Sequence, residues 1–336
     1  MTDRTSLSQQ FLDHAGWGGG NRRFLAGDAS DRSYDRLTRT GETAVLMDAP
    51  PGKGDDPAVF LHIAAHLSGL GLSAPRCLAQ DLDNGFLLLE DFGDGVFAKL
   101  IVKSPELEPA LYAAAADALI HLQSHPAPIG LPNLQATDWA EAACHALAWY
   151  RFAISGDHTD PADFRNALSD LMATHADGPR VMILRDFHAE NLLWLPQREG
   201  LAKVGLLDFQ LAQMGQPGYD LVSLLQDARR DVLRETEAVT IKRFIASTGV
   251  SAQDFETAYA VLGAQRALRI LGIFARLCLV AAKPGYVALI PRVWRQLQTN
   301  LAKPALAPLA QICARLLPEP TPEALAKIGS QCGHFR

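Results

Sequence analysis

With 336 residues, 48% hydrophobic content, 20% charged content and a formal charge of −6, the chain has an ordinary globular composition and room for two cores. The acidic balance and the lack of any basic run exclude a nucleic-acid backbone as partner, and no obligate protein partner is implied. No uninterrupted apolar run reaches the roughly 18 residues a membrane span needs, and the acidic opening MTDRTSLSQQFLDHAGW has no apolar core, so neither a signal peptide nor a membrane role is expected.

Residues 5–14 predict a short helix presenting Leu7, Phe11 and Leu12, broken by the glycines at 16 and 18–20. Three β runs follow (RRFLAG, SYDRLTR and TAVLMDAP), joined by short loops into an antiparallel meander. Asp56 and Pro57 open a helix to about Leu67, as cap and first helical residue. CLAQDLDNGFLLLED then reads as a hairpin turning at Asn84-Gly85. Beyond Gly95 helical periodicity dominates residues 107–124, 138–154 and 161–175, with Asp138 and Asp160 as cap signals. It returns over 218–230, 234–247, 251–282, 286–299 and 304–317. Cys77, Cys144, Cys278, Cys313 and Cys332 are scattered and without C-x-x-C spacing, so they predict reduced thiols of a cytoplasmic protein, not a disulfide frame or zinc site.

The stretch from Val181 to Asp208 interrupts the helices. Three short apolar runs, at 181–184, 192–195 and 204–207, frame a polar loop with Asp186, His188 and Asn191, and then deliver Asp208. Two carboxylates and a carboxamide set on loops by buried strands suit a hard cation and a hydroxyl to be activated. Phosphoryl transfer needs such a set: a base for the attacking hydroxyl, a metal against the phosphates, and donors that cradle them. Asp186 is then the candidate base, and Asn191 and Asp208 the candidate Mg2+ ligands. Asp and Asn are also common turn formers, so the plain alternative is a set of loop and cap residues. His188 reads as a hydrogen-bonding support of the loop and not as base or ligand.

RDFHAEN and LLDFQ resemble the catalytic and metal loops of the aminoglycoside-phosphotransferase and choline-kinase family. That resemblance implies an α+β, protein-kinase-like two-lobed fold. A small antiparallel-sheet N-terminal lobe would cover 1–90, with a hinge at about 89–94, and a large, mainly helical C-terminal lobe would cover 95–336. It also implies ATP and Mg2+ as cofactors and a small-molecule acceptor. Gly27, Asp28, Ala29, Ser30 and Arg32 would form the loop over the ATP phosphates, where small residues let backbone N–H groups approach. Ser30 and Arg32 fit ordinary turn residues equally well. Glu90 and Asp91 would offer backbone groups to adenine, and Asp220 would buttress the catalytic loop from a helix start or simply cap it. A P-loop is excluded, because Gly52-Lys53 lacks the upstream glycine and the following Ser/Thr.

Two departures narrow this likeness. The third strand carries Met47 where the family has a lysine or arginine, and the helix over 57–68 has no acidic residue, so the usual ion pair is missing as a whole. Arg32 and Lys53 are the candidates to replace it. GDASDRSYDRL, VLMDAPP, LLLEDFGD, LRDFHAENLLWL, GLLDFQ, YDLVSLLQDARRDV and RALRILGIFARLCL together resemble kinases that phosphorylate the anomeric hydroxyl of N-acetylmuramate and N-acetylglucosamine. Leu211 stands where an acidic residue is expected after DFQ. Arg185, Asp227, Arg229 and Arg269 are candidates to contact an amino sugar, with Arg266 and Arg276 repeating at near-helical spacing; surface ion pairs are the plain alternative. Two other functions stay open. One is a kinase for an aminoglycoside, choline or homoserine, the first two being cations that call for acidic clusters. The other is a non-catalytic nucleotide-binding scaffold, suggested by Met47.

Overall fold

The structure is a computed structural model that describes residues 3–27, 32–54 and 56–335. Its first elements are α1 (Arg4–His14), β1 (Asn21–Gly27), β2 (Ser33–Arg39), β3 (Glu42–Asp48), α2 (Pro57–Gly69), β4 (Cys77–Asp81), β5 (Phe86–Glu90) and α3 (Phe97–Lys103). Then come α4 (Glu108–Gln123), α5 (Ala136–Ala143), α6 (Phe152–Ser155) and α7 (Ala162–His175). Four short strands follow: β6 (Val181–Ile183), β7 (Leu192–Trp194), β8 (Val204–Leu206) and β9 (Gln213–Gly215). The rest is helical: α8 (Tyr219–Leu225), α9 (Arg234–Thr248), α10 (Ala252–Leu279), α11 (Ile290–Leu301), α12 (Ala307–Leu316) and α13 (Pro322–Gly329).

The chain falls into two compact units, Met1–Ala118 with Ala189–Ala212, and Leu119–His188 with Gln213–Arg336. In the first, an antiparallel sheet runs in the order β1-β2-β3-β5-β4. Strand alternation sends Leu37, Leu46, Phe86 and Leu88 to one face, where they meet Phe11 and Leu12 of α1 and Trp17. Met47 and Leu87, cross-strand partners between those positions, are buried as well. Asp56 caps α2 through the Ala58 N–H at 2.8 Å, with Pro57 at the first turn. The β7–β8 hairpin joins this unit through backbone bonds: Leu206 N–H to Ser73 O at 2.8 Å, and Trp194 N–H to Gly95 O at 2.7 Å. A Cβ at residue 95 would sit 2.6 Å from the Trp194 carbonyl, so only glycine allows this approach. These bonds are why α3 and residues 189–212 group with the sheet, where the sequence suggests one division near residue 95.

The second unit is built on α10, 28 residues long. It is apolar and long enough to cross a membrane, but 83% of its apolar window is buried against α5, α7, α8 and α11. It packs so tightly that a Cβ at Gly272 would fall on the His145 carbonyl. The helix expected over 138–154 is interrupted by a π-helical turn at Ala146–Arg151, between α5 and α6. Asp138 is not the cap of α5: Gln135 is, and Asp138 completes the capping box from the third position. The helix expected to reach residue 230 stops at Leu225. All five cysteines are free, and burial pushes the Cys313 thiol up to about 12.

Candidate functional site

β6 ends at Ile183, and the chain turns sharply at Arg185, whose φ of 73° is unusual for a residue with a side chain. Asp220, near the start of α8, holds that turn. Its two oxygens accept the Leu184 N–H at 2.6 Å and the Arg185 N–H at 2.8 Å. Asp220 is fully buried, and burial raises its pKa to about 7; the nearby Asp186 charge adds to the rise, while the two N–H bonds oppose it. On the other side Ser223 Oγ donates to the Arg185 carbonyl at 3.2 Å and accepts from Arg266 Nη2 at 3.0 Å. Asp186 thus leaves a turn fixed through both its N–H groups and its carbonyl. Asp220 can be placed here from its position at a helix start; the Ser223–Arg266 link has no local signal in the sequence.

His188 is buried, and Arg229 Nη1 donates to its Nε2 at 3.3 Å. Burial first, then the charges of Arg229 and Arg266, hold its pKa well below the ordinary value. A neutral ring that accepts from an arginine is suited to support the loop. Arg229 and Asp227 are no exposed helix pair, because α8 has already ended; Asp227 is fully buried, its Oδ1 accepts the Arg229 N–H at 2.8 Å, and its Oδ2 has no hydrogen-bond partner among the described residues. The arginines grouped by spacing separate in space. Arg266 is buried on the Gln226 carbonyl and Ser223, Arg269 donates to the Tyr219 hydroxyl at 3.0 Å, and exposed Arg276 lies over the Trp149 ring. Arg266 therefore serves packing and loop support inside the unit, not a substrate carboxylate.

In the first unit, Asp208 follows β8 with a φ of 56°. Its Oδ1 accepts from Gln210 Nε2 at 2.7 Å and Arg32 Nη2 at 3.3 Å, and its Oδ2 lies 3.5 Å from Asn191 Nδ2. The Leu207 N–H bonds the Asn191 carbonyl at 2.9 Å, which sets the two residues side by side. Phe209 anchors the turn, fully buried and stacked on Phe60 of α2 with centroids 4.8 Å apart. A carboxylate 30% exposed, beside a carboxamide that presents oxygen when flipped, is a hard-oxygen donor pair that fits magnesium. Among the described residues no group of three or more His, Cys, Asp or Glu could hold a metal, and magnesium shared with phosphates needs none. Leu211 is exposed, and Gln210 is the member of D-F-Q that engages Asp208.

Of the expected phosphate loop, Gly27 ends β1 opposite Ser33 and Arg32 follows the loop; Asp28, Ala29 and Ser30 lie outside the described residues. Glu90 and Asp91 have structural work of their own. Glu90 receives Arg198 at 2.6 Å and Arg76 at 3.1 Å, and its N–H is taken by the Arg76 carbonyl at 2.8 Å. Asp91 binds the Arg36 guanidinium through both oxygens, at 2.7 and 2.9 Å.

The profile of the phosphotransferase enzyme family (APH) matches residues 21–261. An N-acetylmuramate/N-acetylglucosamine kinase of Caulobacter vibrioides is 37% identical, over 95% of this chain and 98% of that protein. Among solved structures, a choline/ethanolamine kinase family protein of Mesorhizobium loti superposes with a TM-score of 0.63 at 15% identity, covering 98% of this chain and 100% of that one. An ADP-bound aminoglycoside phosphotransferase gives 0.56 at 16% identity, covering 86% and 97%. At such identities the likeness shows a shared fold, that of the protein-kinase-like choline and aminoglycoside kinases.

Proposed function

The chain belongs to the phosphotransferase enzyme family, and on that premise we propose that it moves the γ-phosphoryl group of ATP to the anomeric hydroxyl of N-acetylglucosamine or N-acetylmuramate. The observation that carries this reading is the full-length identity to a kinase named for those two sugars. The reaction is placed in the cytoplasm, where ATP is made.

Asp186 orients the sugar hydroxyl and takes its proton as the oxygen bonds to phosphorus; the bond from phosphorus to the bridging oxygen breaks, and that oxygen leaves with its electron pair on ADP. The fixed turn at Arg185 sets where that carboxylate points, which favours one orientation over many. Asn191 and Asp208 would hold magnesium, which would supply charge neutralisation at the phosphoryl oxygens. Gln210 Nε2 donates to the Asp208 carboxylate at 2.7 Å and helps orient it. The cations around the Asp186 loop, Arg229 and Arg266, disfavour a positively charged acceptor such as choline or an aminoglycoside. Retention of Asp186, Asn191 and Asp208 disfavours a non-catalytic scaffold.

A coupled ADP-release assay with N-acetylglucosamine, N-acetylmuramate, an aminoglycoside and choline tests the reading. Turnover with the N-acetylated sugars alone is expected. Turnover with a cation, or nucleotide binding without turnover, would overturn it.

A further inference from the structure

Met47 leaves β3 without a cation for the nucleotide's phosphates, and it is only 1% exposed; no acidic residue on α2 waits for one. We propose that Arg32 grips the α- and β-phosphates in this chain, and that Asp208 docks it until the nucleotide arrives. The proposal rests on the nucleotide-using part of the function above and not on the identity of the sugar.

Arg32 lies just ahead of β2 with its side chain 3% exposed, and its ion pair reaches Asp208 Oδ1 across 176 residues of sequence. Burying a guanidinium is costly unless its acceptors are well placed. Here the pair is loose: 3.3 Å, where charge-assisted N–H···O bonds run about 2.7–2.9 Å, and the same oxygen already takes a 2.7 Å bond from Gln210. An ion pair of that length on a residue fitted to hold a metal is suited to exchange. Were Asp208 to hold a metal, its pull on Arg32 would weaken, and the planar fork of Arg32 matches phosphate oxygens two at a time.

Two other arginines of this unit are committed elsewhere. Arg36 is held by Asp91, Asp94 and the Gly93 carbonyl at 2.7–3.1 Å, and Arg198 by Glu90 and Ser73, both at 2.6 Å. Lys53, the other sequence candidate, sits exposed on the turn after β3. The cation has moved from the third strand to the mouth of the second, and the acidic partner has moved with it, from the helix to the metal ligand.

Calorimetric titration of the full chain with adenosine and with ADP, each with and without magnesium, tests this. Arg32→Gln should weaken ADP binding by about tenfold or more and leave adenosine binding unchanged, with Arg32→Lys in between, since a lysine keeps the charge without the fork. Lys53→Gln should bind ADP as the wild type does. Equal ADP affinity in Arg32→Gln, equal loss of adenosine and ADP, or loss in Lys53→Gln instead, would overturn the proposal. If Arg32→Gln does not fold, Arg32→Lys decides: wild-type ADP affinity there would leave the fork without a role and overturn it. A wild type that binds ADP but turns over no sugar removes only the sugar assignment; one that binds neither nucleoside nor nucleotide removes both.

Discussion

Asp220 is fully buried and takes two backbone N–H groups at 2.6 and 2.8 Å, whereas Asp208 is 30% exposed and faces side-chain donors at 2.7, 3.3 and 3.5 Å. Each sits beside a non-glycine residue at positive φ, Arg185 at 73° and Asp208 itself at 56°. Backbone donors cannot swing away, so Asp220 suits one task, which is to keep a turn in one shape. Side-chain donors rotate on demand, so Asp208 suits a group that changes partners when ligand arrives. In the proposed mechanism the base, Asp186, belongs to the fixed half and the metal ligands, Asn191 and Asp208, to the exchangeable half.

The most severe way to break this division is at the base. Asp186→Asn should lower turnover by about two orders of magnitude or more, with a thermal unfolding curve close to wild type, as measured by the coupled assay and calorimetry on one preparation. Next in size is the contrast between the two supports. Asp220→Ala strands two buried N–H groups, at a cost of about 1–3 kcal/mol each, and should lower both melting temperature and turnover. Asp208→Ala should abolish magnesium-dependent turnover at a smaller cost in stability than Asp220→Ala, because its side-chain donors, unlike backbone N–H groups, can rotate toward other acceptors. Equal destabilisation by the two would erase the distinction.

A pH series sharpens it further. The Asp220 pKa is raised from 3.8 to about 7 in the fold, so between those values the folded chain keeps a proton that the unfolded chain has lost. The stability this group contributes is present below pH 4 and is lost as pH rises towards 7. The difference in unfolding free energy between wild type and Asp220→Asn should therefore fall by at most about 1.4 kcal/mol per pH unit across that window, then level off. A flat or rising difference would show a carboxylate that stays ionised throughout. The smallest effect is expected at Ser223→Ala, which removes one link to the Arg185 carbonyl: about 1 kcal/mol of stability and a drop in kcat with little change in KM for ATP.

The sequence spoke clearly where chemistry is local. Alternation in SYDRLTR and TAVLMDAP, the Asp56-Pro57 start and the Asn84-Gly85 turn each act within a few residues, and the sheet of the first unit follows from them. D-x-H-x-x-N and D-F-Q were legible because their spacing is set by short strands of fixed length. What could not be read is long-range. Nothing near Arg32 says that it meets Asp208, and nothing near Arg266 says that it reaches Ser223 and the Gln226 carbonyl; near-helical spacing instead suggested a shared face for three arginines whose surroundings differ. The grouping of residues 189–212 with the sheet depends on backbone bonds to Ser73 and Gly95, which have no side-chain signature. The early end of α8 at Leu225 is what turns Asp227 inward, and helical periodicity alone runs past it.

The most direct test of the account uses N-acetylglucosamine carrying an isotopically labelled anomeric oxygen, incubated briefly with the chain, ATP and magnesium, with the product read by mass spectrometry and phosphorus NMR. Attack by the sugar hydroxyl predicts one ADP per sugar phosphate, phosphate on the anomeric carbon, and the label retained in the bridging position. Loss of the label, phosphate at another hydroxyl, or inorganic phosphate as the only phosphorylated product would contradict it.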